Sequence, residues 1–92
     1  MPSTVAKDRK QEIVEKFGRH DRDTGSPGVQ IALLTERIEE LTEHMQDHQK
    51  DYSSRRGLLK LVAKRKDLLK YLKDKDRERY LHILNELDIR GV

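Results

Sequence analysis

The chain contains no cysteine and no tryptophan, one phenylalanine and only two prolines. Without thiols there are no disulfides, no thiolate metal sites and no cysteine nucleophile, and a reducing compartment suits the chain. Aromatic residues make up 4 % and hydrophobic residues 34 %, so the apolar groups must form a thin seam between elements rather than a broad core. No stretch approaches the ~18 apolar residues of a membrane span. The opening Met1 to Lys7 also lacks the apolar run of a signal peptide. A soluble cytoplasmic protein with no membrane partner is expected. There is no Gly-rich phosphate cradle, no activated nucleophile and no pair of carboxylates in an apolar setting, so no enzyme is expected and no cofactor.

What the chain does have is charge, in 40 % of its 92 residues. That length supports one domain, here taken as residues 1–92. The net charge of +3 is unevenly spread. Residues 1–49 hold seven Lys/Arg against ten Asp/Glu, residues 50–79 hold twelve against five, and residues 80–92 hold one against two. A thirty-residue block at +7 inside a near-neutral chain is the footprint of a polyanion partner, although a solvated basic helix face has the same composition.

Abundant Leu, Glu, Lys and Arg favour helices over strands. The spacing predicts a first helix from Thr4 to Phe17, with Ile13, Val14 and Phe17 on one face and Gly18 at its end. Ser26-Pro27, a serine N-cap followed by proline, opens a second helix. Its seam is Ile31, Leu34, Ile38, Leu41 and Met45, in steps of three and four. After a short polar break, a third helix from Ser54 to Lys73 carries Leu58, Leu61, Val62, Leu68, Leu69 and Leu72. Arg65 falls on that seam, where its stem can pack while the guanidinium reaches water. A turn at Asp74-Lys75-Asp76 leads to a last helix, Arg77 to Leu87, with Tyr80, Ile83, Leu84 and Leu87 inward. The expected fold is all-α: a four-helix antiparallel bundle of three longer helices and an N-terminal one. The short apolar face of that N-terminal helix leaves open whether it stays docked.

Several faces remain for a partner. Arg56, Lys60, Lys64, Asp67 and Tyr71 follow one another at helical spacing and form one stripe beside the leucine seam. A tyrosine among cations suits base or ribose stacking, or it simply covers the core edge. Gln30, Arg37 and His44 recur every seven residues along the second helix. Arg37 is the one basic residue among Glu36, Glu39, Glu40 and Glu43, so an ion pair with a neighbouring glutamate is the plain alternative. Thr24-Gly25 precedes a helix N-terminus, where free amides favour a phosphate, or it serves turn chemistry only. His44, Asp51 and Ser54 bracket the second break and are able to converge on a guanine amino group and ribose hydroxyls in a shallow RNA groove. Asp51 alone would also serve as an ordinary N-cap. His44 and His48 stand four apart, but without further ligands they make a weak case for a metal. Two rivals to RNA binding are thus a bundle that docks an acidic protein surface and a small metalloenzyme built on those histidines.

The run from Asp23 to Thr35 (DTGSPGVQIALLT) resembles the signature opening of bacterial small-subunit ribosomal protein fifteen. So does the run from Asp51 through Ser54-Arg55-Arg56-Gly57-Leu58-Leu59, continuing into Lys64 to Leu72. The resemblance covers essentially the whole chain. It implies a four-helical, non-enzymatic protein that is a monomer when free. Such a protein binds the central domain of 16S ribosomal RNA beside other subunit components and promotes subunit assembly. A messenger RNA of its own that imitates the site is a further candidate partner. It implies contacts to a three-way RNA junction by Thr24, Gly25, Gln30, Arg37 and Tyr71, and to a G·U/G·C minor-groove site by His44, Asp51 and Ser54. Phosphate contacts fall to Arg55, Arg56, Lys60, Lys64 and Arg65. The chain departs from the family's usual pattern at Gly28 (usually Glu), at Tyr52-Ser53 (usually paired histidines) and at Asp88 (usually Gly). The change at Gly28 is expected to weaken the start of the second helix by removing a first-turn carboxylate.

Overall fold

Four α-helices make up the structure, a computed structural model that describes residues 7–19 and 25–91. They are α1 (Lys7–Phe17), α2 (Pro27–Asp47), α3 (Tyr52–Lys75) and α4 (Arg77–Leu87), with no strand among the described residues. The expected all-α fold is observed. α2 and α3 are the longest, at 21 and 24 residues, α4 has eleven, and α1 has eleven among the described residues. The first three residues expected in α1, Thr4 to Ala6, lie outside the described residues.

Local chemistry sets the boundaries. α1 ends where the Gly18 amide bonds to the Val14 carbonyl at 2.8 Å and the chain bends. Ser26 is extended at φ −68°, ψ 152°, and Pro27 follows with its φ already helical. The Ser26 side chain does not cap the first amides; the Gln30 amide bonds to its carbonyl at 3.0 Å. α3 begins earlier than the spacing predicts, at Tyr52, because Asp51 takes the N-cap and accepts the Ser54 amide at 3.1 Å. It also runs two residues further, to Lys75. The turn expected at 74–76 shrinks to Asp76, which ends one helix and caps the next by accepting the Arg79 amide at 3.1 Å.

α2 is the centre of the fold and packs on all three other helices. The core gathers at one end: Ile13, Val14 and Phe17 of α1, Val29, Ile31 and Ala32 of α2, Leu69 and Leu72 of α3, Tyr80 and Ile83 of α4. α1 is docked, since its three seam residues are all at or below 4 % exposure. Burying each contributes roughly 1.5–3 kcal/mol. Beyond Ile38 on α2 and before Leu69 on α3 no apolar residue is fully buried. An eleven-residue α4, about 16 Å long, covers less than half of α3. The far half of the α2–α3 hairpin is thus a two-helix arm with Leu41, Met45, Leu58 and Leu61 half-buried. Val62, expected on the seam, is exposed for the same reason. Arg65 also differs from expectation. Its guanidinium crosses to α2 and donates to Thr35 Oγ1 at 3.3 Å, while that hydroxyl donates to the Ile31 carbonyl at 2.8 Å.

Candidate nucleic-acid interface

At the arm's tip the three residues singled out from spacing come together. Asp51 Oδ2 lies 2.7 Å from Ser54 Oγ, which donates to it, and 2.9 Å from His44 Nε2. Oδ1 accepts the Ser54 amide at 3.1 Å. Asp51 is therefore both the N-cap of α3 and the hub of a polar cluster, so the two readings of the sequence coexist. These hydrogen bonds, first from the Ser54 hydroxyl and then from His44, hold the Asp51 carboxyl well below the usual carboxylate range. His44 is further braced by His48, whose ring stacks on it at 4.3 Å and 6° and whose Nδ1 lies 3.2 Å from the His44 carbonyl and donates to it. Parallel rings with these nitrogens already engaged do not converge on one cation, and no group of three metal ligands occurs among the described residues. The bracing role of His48 was legible only as an i, i+4 spacing.

Midway along the arm, Arg37, Leu41, Ser54, Gly57, Lys60 and Leu61 line a shallow groove between α2 and α3. Arg37 makes no ion pair among the described residues, and Glu36 is instead held by Arg9 of α1 at 2.6 Å. The intrahelical pair with Glu40 does not form. Gly57 leaves room on the groove floor, with nothing within 4 Å of a Cβ built there. Arg56, Lys60 and Lys64 are exposed, and Arg65 is half-buried against Thr35. Arg55 lies on the outer side, donating to the Gln49 carbonyl at 3.1 Å with its guanidinium 5.9 Å from the Tyr52 ring.

At the core end, Tyr71 is 53 % exposed and borders a hollow with Ser26 and Pro27 at the start of α2. Gln30 Nε2 donates to the Gly25 carbonyl at 2.6 Å, tying down the chain two residues ahead of α2. Thr24 lies outside the described residues. Sequence reasoning missed the cations Lys75 and Arg79 in the same hollow, whose only signal was their place in the basic block.

The chain matches the family described as Ribosomal protein S15 over residues 10–90. It is similar to the small ribosomal subunit protein uS15 of Nitratiruptor sp., 64 % identical over 90 % of this chain and 93 % of that protein. The uS15 protein of Caldanaerobacter subterraneus subsp. tengcongensis is 61 % identical over 91 % and 96 % of the two chains. That of Natranaerobius thermophilus is 54 % identical over 94 % and 97 %. Fold, interface and relatives together define a helical, RNA-binding structural protein of the ribosome, not an enzyme. The chain belongs to the ribosomal protein S15 family.

Proposed function

We propose that this chain, acting as a single domain and a cytoplasmic monomer before assembly, binds the central domain of 16S ribosomal RNA and helps to organise the small subunit. The observation that carries the reading is the preformed cluster of His44, Asp51 and Ser54 at one end of a helical arm whose other end presents Tyr71. Gly25, Gln30 and Tyr71 at the core end, with Arg37 farther along α2, engage a three-way junction, and Thr24 joins them as the family resemblance implies. The tip reads a G·U/G·C step in the minor groove. The fourteen-residue step from Gln30 to His44 sets the two about 21 Å apart.

The hydrogen bonds at the tip assign donors and acceptors. Ser54 Oγ gives its proton to Asp51 and therefore only accepts from a ribose 2′-hydroxyl. Asp51 has used three of about four lone-pair sites, and the last accepts from a guanine N2 amino group. Arg55, Arg56, Lys60, Lys64 and Arg65 face phosphates along the arm. A messenger RNA that imitates the junction would use the same surfaces. Chemical footprinting on naked 16S ribosomal RNA tests the reading, with protection expected at the junction and at the G·U/G·C step together. Protection of neither sinks it.

A further inference from the structure

We propose that the hollow beside Tyr71 is a phosphate-binding site in its own right, in which Lys75 and Arg79 hold one backbone phosphate of the RNA next to a base or ribose lying on the tyrosine. The inference rests on the RNA-binding function proposed above and adds two residues and a ligand group to it. The hollow lies where the end of α1, the start of α2 and the α3–α4 corner meet, and Arg19, Ser26, Tyr71, Lys75, Asp76 and Arg79 line it. Among these described residues three carry positive charge and one negative. The negative one, Asp76, spends its carboxylate on the Arg79 amide at the α4 N-terminus, so its charge faces a positive helix end.

Arg79 is held rather than loose. It is half-buried, and its Nη2 donates to the Phe17 carbonyl, the last of α1. That carbonyl is an orphan acceptor at the negative end of the α1 dipole. One N–H of five is used there, and the guanidinium plane is fixed at the wall of the hollow with donors to spare. The absence of a side chain at Gly28 makes this possible. A Cβ there would stand 3.3 Å from Arg79 Nε and 3.2 Å from the same Phe17 oxygen. Lys75 is exposed on the last turn of α3, one turn beyond Tyr71 and on the same side. A preoriented guanidinium, a mobile ammonium and an exposed aromatic ring together suit a phosphodiester with its attached nucleoside.

The test compares wild type, Lys75→Gln, Arg79→Gln and, as a control cation outside the hollow, Lys70→Gln. Each is titrated with a three-way junction RNA across a series of salt concentrations. Circular dichroism establishes that each variant is folded. Lys75→Gln and Arg79→Gln should each weaken binding roughly tenfold and make the log–log salt slope shallower by about one, while Lys70→Gln leaves the slope near wild type. Should Arg79→Gln fail to fold, Lys75→Gln decides alone. Wild-type binding with Lys75→Gln indistinguishable from Lys70→Gln overturns the site and leaves the RNA-binding function standing. No wild-type binding to the junction overturns both.

Discussion

His44 Nε2 and Asp51 Oδ2 stand 2.9 Å apart across the turn that joins α2 to α3, so one contact closes the helical hairpin and builds the polar cluster at its tip. Cap and hub share a carboxylate, and substitutions can separate them. Asn caps a helix about as well as Asp, whereas Ala loses about 1 kcal/mol of helix stability. Asp51→Asn should keep the cap and so lower the thermal midpoint less than Asp51→Ala, losing only what the ionised carboxylate contributes, yet weaken binding to an RNA carrying the G·U/G·C arm by about 1–3 kcal/mol. Asp51→Ala should lose both. Melting curves and gel shifts with and without the arm measure this, and equal loss on both RNAs would make Asp51 purely structural.

Asp51 also ties stability to pH. Its carboxyl titrates below its ordinary range in the folded protein, so the folded state favours the ionised form. The resulting stability is complete above the unfolded value near 4 and drains away as pH falls below it. Glu86, lowered by its 2.8 Å bridge to Lys16 of α1, acts in the same direction and window. Urea midpoints should be flat from pH 7 to 5 and fall below about pH 4, less steeply in Asp51→Asn and Glu86→Gln.

Gly28 is a packing requirement, not merely a missing helix-start carboxylate. A Cβ would meet Ile83 Cδ1 at 3.0 Å and the Phe17 carbonyl at 3.2 Å. The second is backbone and cannot swing aside. Alanine would gain part of the ~1 kcal/mol propensity difference, since this is the first turn, but overpacking costs about 1–3 kcal/mol. Gly28→Ala should therefore destabilise by roughly 1 kcal/mol and raise hydrogen exchange in α1 first. A stabilised variant would show that α1 has slack at this contact.

At the other end of the chain, Asp88 caps α4 in the left-handed region, φ 52° and ψ 49°. Its amide and that of Ile89 both bond to the Leu84 carbonyl, the latter at 3.2 Å, and Ile89 packs on the core. The ending joins the 6→1 bond of a Schellman motif to the 5→1 bond of an αL motif, with an aspartate where glycine is usual and a carboxylate at the negative end of the helix. Asp88→Gly should raise stability by about 1 kcal/mol, read as a higher urea midpoint at unchanged slope. A lower midpoint would mean that the Asp88 side chain supports the cap.

If the arm's cations meet about five phosphates, the logarithm of the association constant for junction RNA should fall with the logarithm of salt at a slope of roughly −3 to −5. Affinity indifferent to salt from low to physiological strength would contradict a phosphate-led interface.

The sequence by itself determined the helices and their inner faces. Seam residues at steps of three and four, Ser26-Pro27, Asp51 and Asp76 are local signals, and a helix responds to neighbours three and four residues away. Even the tip was legible, because His44 and Ser54 flank a short turn and need little else to meet. Tertiary structure decided what depends on distant partners. It assigned Arg65 to Thr35, Glu36 to Arg9 and Arg79 to Phe17, thirty, twenty-seven and sixty-two residues apart. It left Arg37 without an ion pair among the described residues, exposed Val62 past the reach of α4, and made Gly28 a point of close contact. No periodicity carries such pairings, because they depend on how helices stack once their seams are buried, and long polar side chains then take whichever partner that stacking brings within reach.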